Sequence, residues 1–568
     1  MPPIGATNSK AKIVPIGAVA AVLACTVVLF AAWFVAHERW IYFWDWSHYW
    51  RKTIDLAGGL DHDWLGAMRM VLRSMQHAEY GIAAVVPLAP ATVLFGESRL
   101  AYILSIVVLY GLPAVGVLAF FTQRAFLRPV AASTLATAAC IVTIGLLPQL
   151  WLPVFVGLPD IVGCIVIPLV WWLVREPVER ASWSRIAGVG LALALLVLLR
   201  RWYAYWVVSL LIALAIDGAW RARGGAATVL AWSRVAGLGA VALATFLLFT
   251  GALGLRMLQT DYGDLYSAYR SADPLQTAAV RLVRDFGPFW LALAAGGAGL
   301  TLYQARTRAL ARLLLLQALA TVVLFTRTQN FGAHHYYLLI PQIEVFAGAL
   351  AGALASIRHA ALRATLCAGL GSTLLLNFLS VFVPGVQPAL GSLAAAFASG
   401  IYYPMVRNDL DEVARLTRML DALTRDGSEK IYVLSSSIVL NEEVPRNAHL
   451  VDASLPRLEP RILRTNHVDK RDGFPWRLEV ADYVVLTAPV GYHLDPKDQR
   501  VIGIPARALA NGTTIGRSFA RLPDEFLLNG GTRVSIFKRN RDLAKEDLDA
   551  MLAEFQAFYP DRPAFARR

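Results

Sequence analysis

Apolar residues run in long unbroken stretches over the first two thirds of the chain and in short runs over the last third. Stretches such as 14–36 and 100–121 can each cross roughly 30 Å of hydrocarbon as a helix. The pattern predicts eleven spans, near 13–36, 99–122, 130–150, 156–174, 186–199, 203–218, 235–253, 288–304, 309–325, 338–356 and 362–384. The first reads as a retained anchor, since no small-residue cleavage site follows it. Between the first two spans lies a long loop, 37–98, in which 65–75 has the spacing of a surface helix. The apolar stretch 82–95 is short and carries Pro87 and Pro90, so it predicts a re-entrant or interfacial piece. Near Gly400 the character changes. A helix is expected over 409–426, strands over 430–435, 481–487 and 533–538, and a closing helix over 543–558. The expected fold is a polytopic α-helical membrane domain, 1–384, followed by a small α/β domain, 385–568.

Composition agrees: 57% of residues are hydrophobic and only 16% charged, where a soluble domain carries about a quarter charged. The net charge of +13 would suit nucleic acid, but its distribution argues against that partner. Residues 1–384 hold 28 Lys+Arg against 16 Asp+Glu, and 385–568 hold 25 against 24. The excess thus belongs to the membrane part, where loop charge sets orientation. One set of loops is basic: Lys10/Lys12, Arg124/Arg128, Arg175/Arg180/Arg185, Arg221/Arg223/Arg234, Arg306/Arg308/Arg312 and Arg358/Arg363. These read as cytoplasmic. The opposite set, 37–98, 254–287 and 326–337, holds most of the acids and reads as extracytoplasmic, as does the C-terminal domain. The expected location is the cytoplasmic (inner) membrane. Cys25, Cys140, Cys164 and Cys367 all lie in apolar segments, so neither a disulfide framework nor a cysteine metal site is indicated.

The candidate chemistry gathers on the acidic side. Asp45 sits in the aromatic run Trp40 to Trp50. Trp and Tyr there read as bilayer-interface anchors, but anchoring does not explain a carboxylate among them. His48 and Arg51 follow. Asp160 opens the fourth span, where it could also favour a helix dipole. Arg200 and Arg201 join two short spans by a hairpin among aromatics, suited to phosphate or to interfacial snorkelling. Arg327, His334 and His335 precede the tenth span, and Glu344 lies about two turns deeper. Adjacent histidines could bind phosphate or pass a proton, but a metal needs three or four ligands. Carboxylates can act as base toward a hydroxyl, and Arg can stabilise a phosphate leaving group. Together they suit transfer of a group from a phosphate carrier to a hydroxyl or amine.

These features resemble the GT-C superfamily of membrane glycosyltransferases, and more narrowly the family of protein O-mannosyltransferases and lipid A aminoarabinose transferases. The resemblance covers roughly 13–384. It rests on Tyr42-Phe43-Trp44-Asp45 after span one, on the run Tyr80 to Pro90, on Leu94-Phe95-Gly96-Glu97-Ser98-Arg99-Leu100, on Asp160, and on His335 to Pro341. It implies inverting transfer from a polyprenyl-phosphate sugar on the outer face to a glycan, lipid or protein acceptor. Asp45 would be the base, assisted by Asp160, with Arg200, Arg201, Arg327, His334 and His335 as candidates for the donor phosphate. His48, Arg51 and Glu344 are further candidates. A single acid stands at position 45 rather than a pair, so no metal ligand is assigned and a divalent ion is optional. Two other readings are a lipid-linked sugar flippase and a non-catalytic envelope polysaccharide assembly protein. Against the first, the charges cluster at one face and no matching halves are visible; the second leaves Asp45 unexplained.

Overall fold

A computed structural model describes residues 16–127, 134–222 and 224–566. Lys10, Lys12, Arg128 and Arg223 of the charge pattern lie outside the described residues. Among the described residues seven helices are long and apolar enough to cross a membrane: Ile16–Ala36, Arg99–Phe126, Tyr203–Ala222, Ala226–Thr250, Pro274–Tyr303, Arg308–Thr326 and Ala360–Phe382. Thr134–Gly145 and Pro148–Phe155, bent by 46°, make an eighth if taken as one span. Pro159–Val174, Trp183–Leu199 and Ile340–Leu354 are apolar but shorter. Each predicted span is therefore mainly helical over its described residues, though not each is a straight crossing. Proline explains part of this. Leu147 is extended (ψ 114) ahead of Pro148, as steric conflict with a following proline requires. Gly287 (φ 79) kinks Pro274–Tyr303 just before Pro288, where the sequence suggested the span would begin.

The loop 37–98 is built of helices Asp45–His62 and Trp64–His77, a 3₁₀ turn at Ala83–Val85 and a short helix Ala89–Phe95. Leu94 and Phe95 at the tip of the last are 75% exposed, which suits an interfacial piece. A triad closes the base of the loop. Arg99 Nε donates to Glu38 at 3.0 Å, its guanidinium covers the Tyr42 ring at 3.3 Å, and Tyr42 donates to Glu38.

The C-terminal domain carries one sheet of strands β1 (Ile431–Leu434), β2 (Tyr483–Ala488), β3 (Phe519–Leu528) and β4 (Thr532–Arg539). Their order is β1-β2-β4-β3, with β1 and β2 parallel and the remaining pairs antiparallel. Alternation along the strands sends Val433, Val485 and Ile536 into one core with helix Leu410–Leu423, and Tyr432, Val484 and Phe537 into another with helices Arg500–Asn511 and Lys545–Phe558. Strand β3 and helix Arg500–Asn511 were not anticipated. The first carries Pro523, Asp524 and Glu525, where its pairing with β4 shifts register; the second has Pro505 in its middle.

The front of the aromatic run, Trp40 to Trp46, departs from its expected role as a membrane belt, whereas Tyr49 and Trp50 pack in the core of the helical part. Ile41 and Phe43 are buried in the first core of the C-terminal domain, with Trp40, Trp44 and Trp46 packed against it. Arg39 bridges to Val406, with Arg39 N donating to Met405 O at 2.9 Å and Arg407 N donating to Arg39 O at 2.8 Å. The segment after the first span is thus a strap that joins the two parts of the protein.

Candidate active site

Asp45 opens helix Asp45–His62 and lines a cavity of about 780 Å³ walled by both parts of the chain. Asp45, His48, Arg51 and Tyr80 come from the first loop, Tyr269, Arg270 and Arg281 with Gln329 to Gly332, His334 and His335 from the later loops, and Glu443, Arg446, Arg464, His467, Arg471 and His493 from the C-terminal domain. Six arginines (Arg51, Arg270, Arg281, Arg446, Arg464, Arg471) face two carboxylates (Asp45, Glu443) in this lining. Such an excess focuses a positive potential that draws in anions. Glu443 is already engaged, accepting from Trp44 N at 2.7 Å and Ser47 Oγ at 2.8 Å. Among the described residues the Asp45 carboxylate has neither a hydrogen bond nor an ion pair. It contributes no contact that would stabilise the fold.

A second, apolar cavity of about 410 Å³ opens between helices Trp183–Leu199, Tyr203–Ala222 and Ala226–Thr250. Leu193, Val197, Val208, Leu211, Leu243 and Phe246 line it, and Arg201, Trp202, Tyr262 and Tyr266 close its end. Trp202 and Tyr266 also line the Asp45 cavity, so the two spaces meet at these rings. Arg201 is the charge at that junction. It pairs with Glu79 at 2.9 Å, donates to Tyr266 OH, and lies 4.4 Å from the Tyr80 ring and 4.8 Å from the Trp202 ring. Its Nε is buried and has no hydrogen-bond partner.

Arg200, its neighbour, does a different job. Its Nε donates to Asp160 Oδ1 at 2.7 Å, and both side chains are almost wholly buried, 3% and 2% exposed. Tyr203 OH donates to the Asp160 carbonyl at 2.7 Å, a contact available because a Cβ at Gly163 would overlap the Tyr203 ring. The hairpin arginine expected at the interface is therefore an interior ion pair, and Asp160 caps no helix with its side chain. Neither residue lines the Asp45 cavity. Arg327 is exposed and opens instead onto a separate hollow with Asp261, Asp264, Arg270 and Lys470. Arg51 reaches the C-terminal domain, pairing with Glu459. Glu344 is fully buried in helix Ile340–Leu354, with neither carboxylate oxygen hydrogen-bonded; it does not reach the cavity.

The histidines do line the cavity, but as neutral groups. Burial, aided by the Arg200 charge, pushes His334 down to about 4, and burial does the same to His48. Burial and then His334 lower His335 well below its usual range. His335 Nδ1 accepts from Gly332 N at 2.9 Å and so ties its own loop together, whereas His334 Nε2 and His48 Nε2 are buried without partners. Neutral imidazoles offer hydrogen bonds to a phosphate, not charge. They also make a pH test. Between about 6.5, the ordinary imidazole value, and the folded value of about 4, the unfolded chain binds protons that the folded chain refuses. Stability then falls as pH drops through that window. Thermal unfolding of the detergent-solubilised protein should show this fall, and His334→Gln should make it shallower, with His48 and His335 retaining the rest.

Sequence reasoning missed the C-terminal wall. There Glu442 accepts from His467 Nε2 (3.1 Å), His467 Nδ1 meets Ser436 Oγ (2.9 Å), and Ser436 Oγ meets His493 Nδ1 (2.6 Å). These groups sit beyond the carboxyl ends of the parallel strands β1 and β2, where open α/β sheets bind ligands. No motif announced them; the adjacent acids Glu442 and Glu443 are the one local oddity. Among the described residues no group of three or more His, Cys, Asp or Glu is placed to hold a metal ion.

The chain is thus a mostly helical, multi-pass membrane protein whose C-terminal sheet domain closes a cationic cavity around one free carboxylate. Solved structures similar to it include the following two. ArnT from Cupriavidus metallidurans bound to undecaprenyl phosphate shares 15% identity over 91% of this chain and 97% of that one, with a TM-score of 0.47. The Archaeoglobus fulgidus oligosaccharyltransferase, tethered to an acceptor peptide containing the NVT sequon, shares 11% identity over 82% of this chain and 68% of that one, with a TM-score of 0.39. No protein-family model and no curated protein sequence matches the chain.

Proposed function

We propose that this protein is a membrane glycosyltransferase that moves a sugar from a polyprenyl-phosphate carrier to a hydroxyl- or amine-bearing acceptor. The observation that carries this reading is the meeting of the apolar cavity with the cationic one at Trp202 and Tyr266, with Arg201 on the apolar side of that junction. A polyprenyl chain fits the apolar side. Its phosphate would lie at Arg201, and its sugar would project into the Asp45 cavity. Asp45 takes the proton of the acceptor as the acceptor oxygen or nitrogen attacks the anomeric carbon. The bond from that carbon to the phosphate oxygen breaks, and the carrier phosphate leaves with the electron pair. Attack opposite the leaving group inverts the anomeric centre. Arg201 and the arginine-lined cavity stabilise the growing phosphate charge, and neutral His334 and His48 can donate hydrogen bonds to it. The acidic loops and the C-terminal domain are assigned to the extracytoplasmic side of the cytoplasmic membrane, where lipid-linked sugars serve as donors in place of nucleotide sugars.

Two measurements test it. Protein in nanodiscs is supplied with polyprenyl-phosphate sugars and a membrane extract as acceptor, and loss of donor with release of carrier phosphate is followed. Undecaprenyl phosphate binding is measured separately by native mass spectrometry. Arg201→Met should weaken that binding by about 10- to 100-fold, the scale of one or two charge-assisted hydrogen bonds. Equal binding by the variant and the wild type would contradict the assignment of the phosphate to Arg201.

A further inference from the structure

We propose that Glu443, in the C-terminal domain, is a positioning residue that holds Asp45 in its working orientation. The proposal deepens the glycosyl-transfer reading, which supplies its kinetic readout.

Trp44, the residue before Asp45, has φ 51 and ψ −137. A tryptophan in the left-handed half of backbone space is strained, at a cost of about 1–3 kcal/mol, and persists only where surroundings hold it. The hold here comes from 399 residues away. Glu443 Oε2 accepts the Trp44 backbone N–H at 2.7 Å and the Ser47 hydroxyl at 2.8 Å. The first turn of helix Asp45–His62 has no side-chain cap of its own; Glu443 binds instead the N-cap amide, as the third-position carboxylate of a capping box does, and its charge favours the helix dipole. Asn447, one turn along the same short helix, donates to the Tyr42 carbonyl at 2.8 Å. Two hydrogen-bonding side chains of Glu443–Asn447 therefore grip the strap on both sides of Phe43, whose ring is sunk in the domain core.

The consequence is directional. Asp45 itself has no partner among the described residues, so its direction is set by the backbone that carries it. That backbone is fixed by Glu443. Release of Trp44 to an ordinary backbone conformation would turn the carboxylate away from the anomeric carbon, and a misplacement of about 1 Å can cost about a hundredfold in rate. The apolar groove and Arg201 are not touched by this change.

The test uses the full chain in nanodiscs. Glu443→Ala should lower kcat about a hundredfold while the KM for donor and the binding of undecaprenyl phosphate stay within about twofold. Glu443→Gln keeps an acceptor oxygen in place and should recover most of the loss. Hydrogen exchange gives a readout independent of activity: amides of residues 44–48 should lose protection in Glu443→Ala, while the spanning helices keep theirs. Unchanged exchange at 44–48 would overturn the proposal even if no donor sugar is ever turned over. So would a kcat equal to wild type, or a parallel loss of undecaprenyl phosphate binding, which would mark a general structural role. Failure of the wild type to turn over any polyprenyl-phosphate sugar would instead count against the glycosyltransferase reading, with the exchange result still deciding on Glu443.

Discussion

Replacing Asp45 by Asn should remove nearly all sugar transfer, by about 10²- to 10⁴-fold, and leave the fold intact. The range is that of a positioned general base. The expectation of an intact fold follows from the geometry. Asn is nearly isosteric with Asp, and the Asp45 carboxylate makes no hydrogen bond or ion pair among the described residues that an amide would forfeit. The helix it opens is held by Glu443 through Trp44 and Ser47, not by Asp45. Removing a free carboxylate from a lining of six arginines also makes the cavity more cationic, so binding of undecaprenyl phosphate should hold or tighten. The signature is therefore a fall in kcat with donor affinity unchanged or improved. Single-turnover transfer and carrier binding, measured on the same preparation, separate the two. Transfer by the Asn variant at the wild-type rate would remove Asp45 as the base.

The helical part of this fold was legible because hydrocarbon leaves no other choice: a backbone crossing it must satisfy its own hydrogen bonds. Hence the apolar stretches became helices, and prolines and the glycines Gly251 and Gly287 changed where helices break. Strands of the C-terminal domain were legible where β-branched residues run together, as in Ile431–Leu434 and Tyr483–Ala488. They were not where the chain mixes proline and acids, as in β3. The site was half legible. Asp45, His48, Arg51, His334 and His335 do line one cavity, because loop charge placed them at the same end of the bundle. Sequence pattern could not tell which charges would pair with each other. Arg200 and Arg201 are adjacent and chemically alike, yet one faces Asp160 in the interior and the other Glu79 and an aromatic cage at the junction of the cavities. Nor could it see that Trp40 to Trp46 pack against a domain built from residues far later in the chain. Contacts such as Trp44 to Glu443 depend on how two cores dock, and no local period encodes that.

That difference between the two arginines sets up the second large effect, one of stability rather than catalysis. Arg200→Ala strands the Asp160 carboxylate where only 2% of it is exposed. It also removes the guanidinium that lies 4.6 Å from the Tyr49 ring. Breaking one partner out of a buried pair costs about 3–5 kcal/mol, a large share of the stability of an ordinary domain. Arg200→Ala should therefore lower the unfolding temperature and the yield of folded protein far more than Arg201→Met does. The reciprocal variant decides between charge stranding and simple loss of packing. Arg200→Met with Asp160→Leu removes both ions and replaces them with apolar groups of similar reach, an exchange that is often neutral or stabilising by about 1–4 kcal/mol. The double variant should recover most of the thermal stability lost by the single one. It should also keep transfer activity, since neither side chain lines the Asp45 cavity. Restored stability with activity still lost would instead give this pair a part in the chemistry at a distance, Arg200 through the charge it places on His334.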